Sequence, residues 1–160
     1  MLRAARLAVL LAAAGIPAFA GSVVFQGVFN EDDDVALLPF SITATDLVTI
    51  ESYGYAGGTA PGGIIAPEGG FAPNAILFDS SGTEITSNQG GDCAITGADS
   101  VTGNCDDPYF QETLAAGSYT LALVEWDNTT TDGFLPNGFN QTGNPGFIRG
   151  QRIILRCHHG

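Results

Sequence analysis

Apolar and polar residues alternate along several short stretches of this chain, with the period of two that is typical of half-buried β-strands. Val48 and Ile50 alternate with Thr49 and Glu51, and residues 119–124 repeat the pattern. Glycine interrupts every window after residue 20 in which an amphipathic helix could be placed. The pattern predicts strands at residues 23–29, 36–43, 47–55, 74–79, 83–86, 109–114 and 118–126.

Two of the predicted strands have a distinguishing feature. Pro39 lacks the N–H that a β-ladder needs, so residues 36–43 are expected at a sheet edge or at a bulge. Residues 74–79 form a continuous apolar run, which is typical of a strand that is buried on both faces. Short strands separated by turns predict one all-β domain, an antiparallel β-sandwich of jelly-roll-like type, over residues 21–148.

Residues 1–20 have the organisation of a secretory signal peptide. Arg3 and Arg6 precede an apolar stretch at residues 7–19, and Ala18 and Ala20 supply the small residues expected before a cleavage site. Thirteen apolar residues are also fewer than the roughly 20 that a finished transmembrane helix needs. We therefore expect cleavage after Ala20, a mature chain without a membrane span, and a secreted, periplasmic or cell-surface location.

The charge of the chain is strongly negative, because 17 acidic residues face five basic ones for a formal net charge of −12. Binding to nucleic acids depends largely on neutralising phosphates with Lys and Arg, so this composition excludes a nucleic-acid partner. It also excludes attraction to anionic lipid surfaces.

The basic residues are placed unevenly along the chain. Residues 21–148 contain no Lys, Arg or His, whereas the segment 149–160 contains Arg149, Arg152, Arg156, His158 and His159. Two interpretations of this basic tail stay open. It is either a last strand laid against the acidic body or a foreign end that results from truncation or a shifted reading frame.

Two long segments, residues 56–73 and 89–107, interrupt the predicted strands. The second contains Cys93 and Cys105, which lie twelve residues apart in a Gly/Asp-rich stretch. We predict that these two cysteines form a disulfide, as expected in an oxidising compartment, and that Cys157 is free. Turn hydrogen bonds are favoured over metal binding for the aspartates around this disulfide, which are Asp92, Asp99, Asp106 and Asp107.

The acidic run Asp32, Asp33 and Asp34 is the main candidate for a metal site. Calcium takes six to eight oxygen ligands, which clustered carboxylates in a loop supply. Asp127 follows the predicted strand 118–126 and is the candidate fourth ligand. A solvated acidic turn is the alternative. Because no basic residue lies between residues 21 and 148, a divalent cation would relieve the repulsion, and calcium is the candidate cofactor.

Catalytic chemistry finds little support along the chain. The first histidine is His158, so the body of the domain cannot form a Ser-His-Asp or Cys-His arrangement. We therefore expect no catalytic residues and no enzyme activity. A different candidate is an aromatic platform for a sugar or a peptide, although aromatic residues on strands are more often core residues. The aromatic residues concerned are Tyr53, Tyr55, Phe71 and Trp126.

Along the chain, an acidic run is followed by residues 40–42, 47–50, 75–82 and 114–121. The order of these motifs resembles that of the bacterial pre-peptidase C-terminal domain, a secreted β-sandwich found beside exported proteases. Residues 32–35, 53–58 and 119–123, with Cys93 and Cys105, also resemble exported bacterial proteins of unknown function that are associated with a sorting signal of the Pro-Glu-Pro type. The resemblance implies a β-sandwich, export and calcium, and it implies no catalytic residues.

These expectations combine into one function hypothesis. The chain is expected to be a secreted, non-catalytic β-sandwich module of the bacterial cell surface or extracellular matrix, stabilised by calcium. A carbohydrate-binding accessory domain is the alternative. The partner expected in either case is a surface polysaccharide or a protein.

Overall fold

The computed structural model describes residues 21–146 and 151–159. The predicted signal peptide, residues 1–20, lies outside the described residues. The strands are β1 (Ser22–Phe29), β2 (Ala36–Ile42), β3 (Asp46–Ser52), β4 (Gly58–Ala60), β5 (Ile64–Ala66), β6 (Pro73–Phe78), β7 (Glu84–Asn88), β8 (Tyr109–Leu114), β9 (Gly117–Glu125) and β10 (Gln151–His159). The described residues also contain one helical turn, α1 (Cys93–Thr96), and a 3-10 turn at Leu135–Asn137.

The strands form two four-stranded sheets and a small hairpin. The first sheet has the order β1-β10-β3-β8, the second has the order β2-β9-β6-β7, and β4 pairs with β5. Every pairing is antiparallel. The prediction of an all-β antiparallel sandwich is therefore confirmed. The edge position predicted from Pro39 is also confirmed, because β2 is the outermost strand of the second sheet.

The main core lies between the two sheets, where the inward-facing residues of the alternating strands meet. Val48 and Ile50 of β3 pack there against the second sheet, as their alternation with polar neighbours predicted. The buried members of this core are Phe29, Phe40, Ile42, Val48, Ile50, Ala75, Leu77, Leu114, Leu121, Leu123, Leu155 and Cys157.

The outer face of the second sheet is buried as well. Ile76 and Phe78 of β6 point outward and pack with Phe139 and Leu135 from the segment that follows β9. All six residues of β6 are buried, which confirms the expectation for residues 74–78, whereas Asp79 lies beyond the strand and is partly exposed. The covering segment is held in place by hydrogen bonds such as the one that the Leu135 N–H donates to the Gly82 carbonyl, at 2.8 Å.

The β4–β5 hairpin covers part of the outer face of the first sheet. Ala60 and Ala66 of the hairpin pack against Ile154 of β10, and Val24 and Tyr53 lie beside them. Part of the long segment 56–73 is therefore a hairpin that shields one sheet from water.

The basic tail contributes the strand β10, which lies between β1 and β3 of the first sheet. Leu155 and Cys157 point into the core, whereas the Arg156 side chain lies on the opposite face. There the Arg156 Nη1 atom is 3.6 Å from the Glu51 Oε2 atom, and its Nε donates to the Ser22 hydroxyl at 3.1 Å. Residues 151–159 are thus an inner strand of the first sheet, as in the interpretation of the basic tail as a last strand laid against the acidic body.

The long connections leave the two sheets at the same end of the sandwich. Pro73 pairs with Glu125 at this end of the second sheet, Glu51 pairs with Tyr109 at this end of the first, and residues 30–35 join the sheets. We call this region the loop-rich end, and it comprises residues 30–35, 53–72, 89–108 and 126–128. Among the described residues, no helix has the length and hydrophobicity that a membrane span requires.

Candidate functional site: the loop-rich end

A buried carboxylate organises the glycine-rich segment that follows β3. Asp107 is 0% exposed. Its Oδ1 atom accepts hydrogen bonds from the Ser52 hydroxyl and the Gly54 N–H, and its Oδ2 atom accepts one from the Ala56 N–H at 2.8 Å. The Tyr55 N–H is 3.1 Å from both oxygens. A buried charge is costly unless hydrogen bonds compensate it, and here the compensation comes from the loop that the carboxylate fixes.

The disulfide predicted between Cys93 and Cys105 is present, with a Cα–Cα distance of 5.1 Å. It closes the segment 89–107 next to Asp107. The Gly91 N–H donates to the Cys105 carbonyl at 2.7 Å. A Cβ atom at Gly91 would lie 2.3 Å from the Asp107 carbonyl oxygen, so only glycine fits this close approach of two backbones.

Two other aspartates of this segment, Asp92 and Asp99, form local turns, in line with the turn interpretation. The Asp92 side chain caps α1 by accepting from the Ala94 N–H at 2.8 Å. The Asp99 side chain accepts from the N–H groups of Thr102, at 2.7 Å, and Val101, at 3.1 Å. These hydrogen bonds, with that of the Thr102 N–H foremost, lower the pKa of Asp99. The carboxylates therefore stabilise the loop backbone.

The two long segments also contact each other directly. The Tyr55 hydroxyl and the Thr102 hydroxyl are 2.8 Å apart. The Ser100 hydroxyl donates to the Glu68 carboxylate at 2.6 Å. Together with the Asp107 hydrogen bonds, these contacts join the glycine-rich and disulfide segments into one surface.

The acidic run and the end of β9 meet at this end of the sandwich, as expected. The Asn128 side chain donates to the Asp32 carbonyl at 3.4 Å. The Asp33 carboxylate accepts from the Gly143 N–H at 3.0 Å, and the Asp127 carboxylate accepts from the Gln141 side chain at 3.1 Å. The segment 141–146 therefore lies between the acidic run and Asp127.

The structure does not assemble these carboxylates into a ligand set. The Asp34 carboxylate closes its own turn by accepting from the N–H groups of Asn30, at 2.7 Å, and Glu31, at 3.2 Å. The Asp33 carboxylate is directed to another segment. Within residues 21–146 and 151–159, no three His, Cys, Asp or Glu side chains are arranged to hold a metal ion. A calcium site formed by Asp32, Asp33, Asp34 and Asp127 therefore stays a prediction from the sequence.

Electrostatic strain is nevertheless present beside the acidic run. Glu125 lies at the end of β9 and is partly buried. Burial raises the pKa of Glu125, and the negative charges of Asp32 and Asp127 raise it further, against hydrogen bonds from the backbone of Asp127 and Trp126. Among the described carboxylates, Glu125 is the one whose pKa is raised in part by neighbouring negative charge.

The four candidate aromatic residues have different environments. Phe71 stacks on Phe29 of the core with ring centroids 5.0 Å apart. Tyr53 lies under the hairpin and donates to the Glu51 carboxylate at 2.7 Å, and burial together with this carboxylate raises its pKa to about 12. Tyr55 is half-buried against the disulfide segment, whereas Trp126 is 53% exposed. The four side chains do not form a common platform, and Trp126 is the exposed one.

Two apolar residues of the disulfide segment that the sequence pattern does not single out are exposed in the structure. Val101 is 87% exposed and Ile95 is 49% exposed. The sequence signal for their exposure is a β-branched residue among Gly, Asp and Thr in a disulfide-closed loop, since such a residue is not part of an alternating strand that faces the core. Asp107 was identified only as one of four turn aspartates, because its long-range partners are separated from it by about fifty residues.

No protein-family model matches the chain, and a search of curated proteins finds no match. Several solved structures are similar to it, including the following two. One is the periplasmic inhibitor of g-type lysozyme PliG from Aeromonas hydrophila, with 15% identity over 88% of each chain and a TM-score of 0.46. The other is the pre-peptidase C-terminal domain of a collagenase from Bacillus anthracis, with 13% identity over 90% of this chain and 99% of that chain and a TM-score of 0.44.

Proposed function

We propose that this chain is a secreted, non-catalytic β-sandwich module of the bacterial cell surface or extracellular matrix that binds a protein partner through its loop-rich end. The observation that carries the proposal is the exposure of Val101 and Ile95 on a segment whose backbone is held by a disulfide and by buried carboxylates. Trp126 is exposed beside this segment, since its carbonyl accepts a hydrogen bond from the Gln89 side chain at 2.7 Å. The disulfide and the predicted signal peptide support export.

Preorganised loops favour binding, because less conformational entropy is lost when a ligand docks. Val101 lies within the tight turn that Asp99 closes, and the whole segment is joined to the glycine-rich segment through Asp107. Exposed large apolar residues on such a turn have no role in the core of this domain. Binding residues are commonly found on loops that a rigid scaffold positions.

The charge of the module indicates the kind of protein that it binds. Ten of the 17 acidic residues lie in the segments of the loop-rich end, and the chain as a whole carries a formal charge of −12. Complementary charge speeds association and selects partners, while apolar contacts supply most of the affinity. The proposed partner therefore presents an apolar spot within a basic surface.

The test measures the binding of labelled mature protein to cell-envelope proteins of the source bacterium. Val101→Ser combined with Trp126→Ala is expected to weaken binding at least about tenfold, the cost of losing two apolar anchors. Ile85→Ser, on the edge strand β7, is the matched control because Ile85 is also an exposed apolar residue. Equal losses in the control and in the double variant, or binding that is insensitive to both, would contradict the proposal.

A carbohydrate ligand is the second candidate, and the exposure of Trp126 favours it. Trp126 is the only tryptophan of the chain, so its fluorescence reports directly on a sugar ring stacked against it. Saturable quenching by a surface polysaccharide would support this candidate. The quenching should be as strong in Tyr55→Phe as in the parent, and blocking the Trp126 face should abolish it. Absence of quenching across a glycan panel would leave the protein partner.

A further inference from the structure

The last strand of the chain in sequence order, β10, is not at a sheet edge but inside the first sheet. It pairs with β1 on one side, from Ser22 opposite His158 to Phe29 opposite Gln151. It pairs with β3 on the other side, where Ser52 lies opposite Leu155. In the described sheet order, β1 has β10 as its only neighbour. The first strand therefore has no place in the sheet until the last strand is present.

The remaining pairings of the sandwich are all complete without β10. Within the second sheet, β9 pairs with β2 and β6, and β6 pairs with β7. In the first sheet, β3 pairs with β8, for example through Asp46 and Leu114. These partners are separated by fewer residues than the partners of β10 are, and the entropic cost of closing a loop grows with its length. The order of the chain thus favours a partly formed sandwich in which one edge of β3 is open.

The open edge is specific for residues 151–159 because of their side-chain pattern. Leu155 is 0% exposed and Cys157 is 2% exposed, and both fill the inner core. Arg156 points to the other face, where it contacts Glu51 of β3 and Ser22 of β1. A shift of the register by one residue would turn Arg156 into the core, so the pattern excludes shifts by an odd number of residues.

We propose that β10 is the closing strand of this fold: it enters between β1 and β3 after the second sheet and the β3–β8 pair have formed, and it brings β1 into the sheet with it. A chain that is exported before folding gains from this order, since the domain stays open until β10 has followed. The benefit for export rests on the proposed secretion, whereas the order of closure does not.

Cys157 reports on the closing step, because it is the one cysteine of the chain outside the disulfide and lies on β10. Full-length mature protein with its disulfide intact is refolded from denaturant and given short alkylation pulses. Amide protection in β6 and β9 is followed by hydrogen exchange in parallel. We expect Cys157 to stay fully reactive after the β6 and β9 amides have become protected. Simultaneous protection of the thiol and these amides would overturn the proposal.

Two matched core variants provide an independent measurement. Leu155 of β10 and Leu121 of β9 are both 0% exposed in the same core. Leu155→Ala is expected to speed unfolding and to change the folding rate less than twofold, because a contact that forms after the transition state affects the unfolding rate. Leu121→Ala is expected to slow folding severalfold. If an alanine variant does not fold, Ile154→Val in β10 and Ile76→Val in β6 replace the pair. Equal slowing of folding by the two variants would refute the closing order.

Discussion

Replacing Asp107 by asparagine removes a buried charge on which three consecutive backbone N–H groups converge. Asparagine keeps one oxygen, which can still serve Ser52 and Gly54 at the Oδ1 position. Its amide group then faces the N–H groups of Tyr55 and Ala56, which lose their acceptor at Oδ2. A hydrogen bond to a charged group contributes about 1.5–3 kcal/mol. Because the loop can relax and admit water, we expect a loss of about 2–4 kcal/mol in the free energy of unfolding.

Urea unfolding followed by far-UV circular dichroism measures this change, and Asp106→Asn is the matched control. Asp106 is the neighbouring residue, carries the same charge and is half-exposed. Its replacement is expected to change the stability by less than about 0.5 kcal/mol, as is usual for surface positions. Chymotrypsin cleavage after Tyr55 under native conditions should increase in the Asp107 variant alone. Equal stabilities of the two variants would refute the organising role of Asp107.

Three further predictions concern charge, the disulfide and calcium. Burial raises the pKa of Glu125 above its unfolded value, so its ionisation opposes folding as the pH rises through that pKa. Glu125→Gln should therefore raise Tm at pH 7 but not below about pH 4, which is near the ordinary pKa of Glu. An equal change in Tm at both pH values would contradict this prediction. Replacing both Cys93 and Cys105 by serine should lower the stability by about 3 kcal/mol in the chain-entropy model, and an unchanged urea midpoint would exclude this contribution. Calcium at about 1 mM should raise Tm more than magnesium does, and the double variant Asp33→Asn, Asp34→Asn should abolish this difference. Equal effects of the two ions on Tm would indicate general screening of charge and would contradict a specific calcium site.

Local patterns predicted the strands and several of their environments. Alternation at Val48 and Ile50 identified β3, because residues two apart in a strand share a face and the apolar set must face the core. The missing N–H of Pro39 located an edge, and the spacing of Cys93 and Cys105 located the disulfide. Each of these predictions depends on interactions that reach only a few residues along the chain.

The candidate site was predicted less well than the fold. The acidic run was correctly expected near the end of β9, because antiparallel strands return their connections to one end of a sandwich. Which carboxylate is buried was not predictable in the same way, since Asp107 differs from Asp106 only in the segment packed against it. The burial of an aspartate depends on distant donors, which in this protein are the N–H groups of residues 54–56.

The all-β class, most strand positions, the disulfide and the strong negative charge are encoded locally, because they follow from composition and from periodicity over a few residues. The insertion of residues 151–159 between β1 and β3, the covering of the second sheet by the segment after β9 and the anchoring of the glycine-rich segment by Asp107 become visible only in the folded domain. Strand pairing across more than a hundred residues leaves no local periodic signal. It is selected by the complementarity of whole surfaces, such as the match of Leu155 with the core and of Arg156 with Glu51.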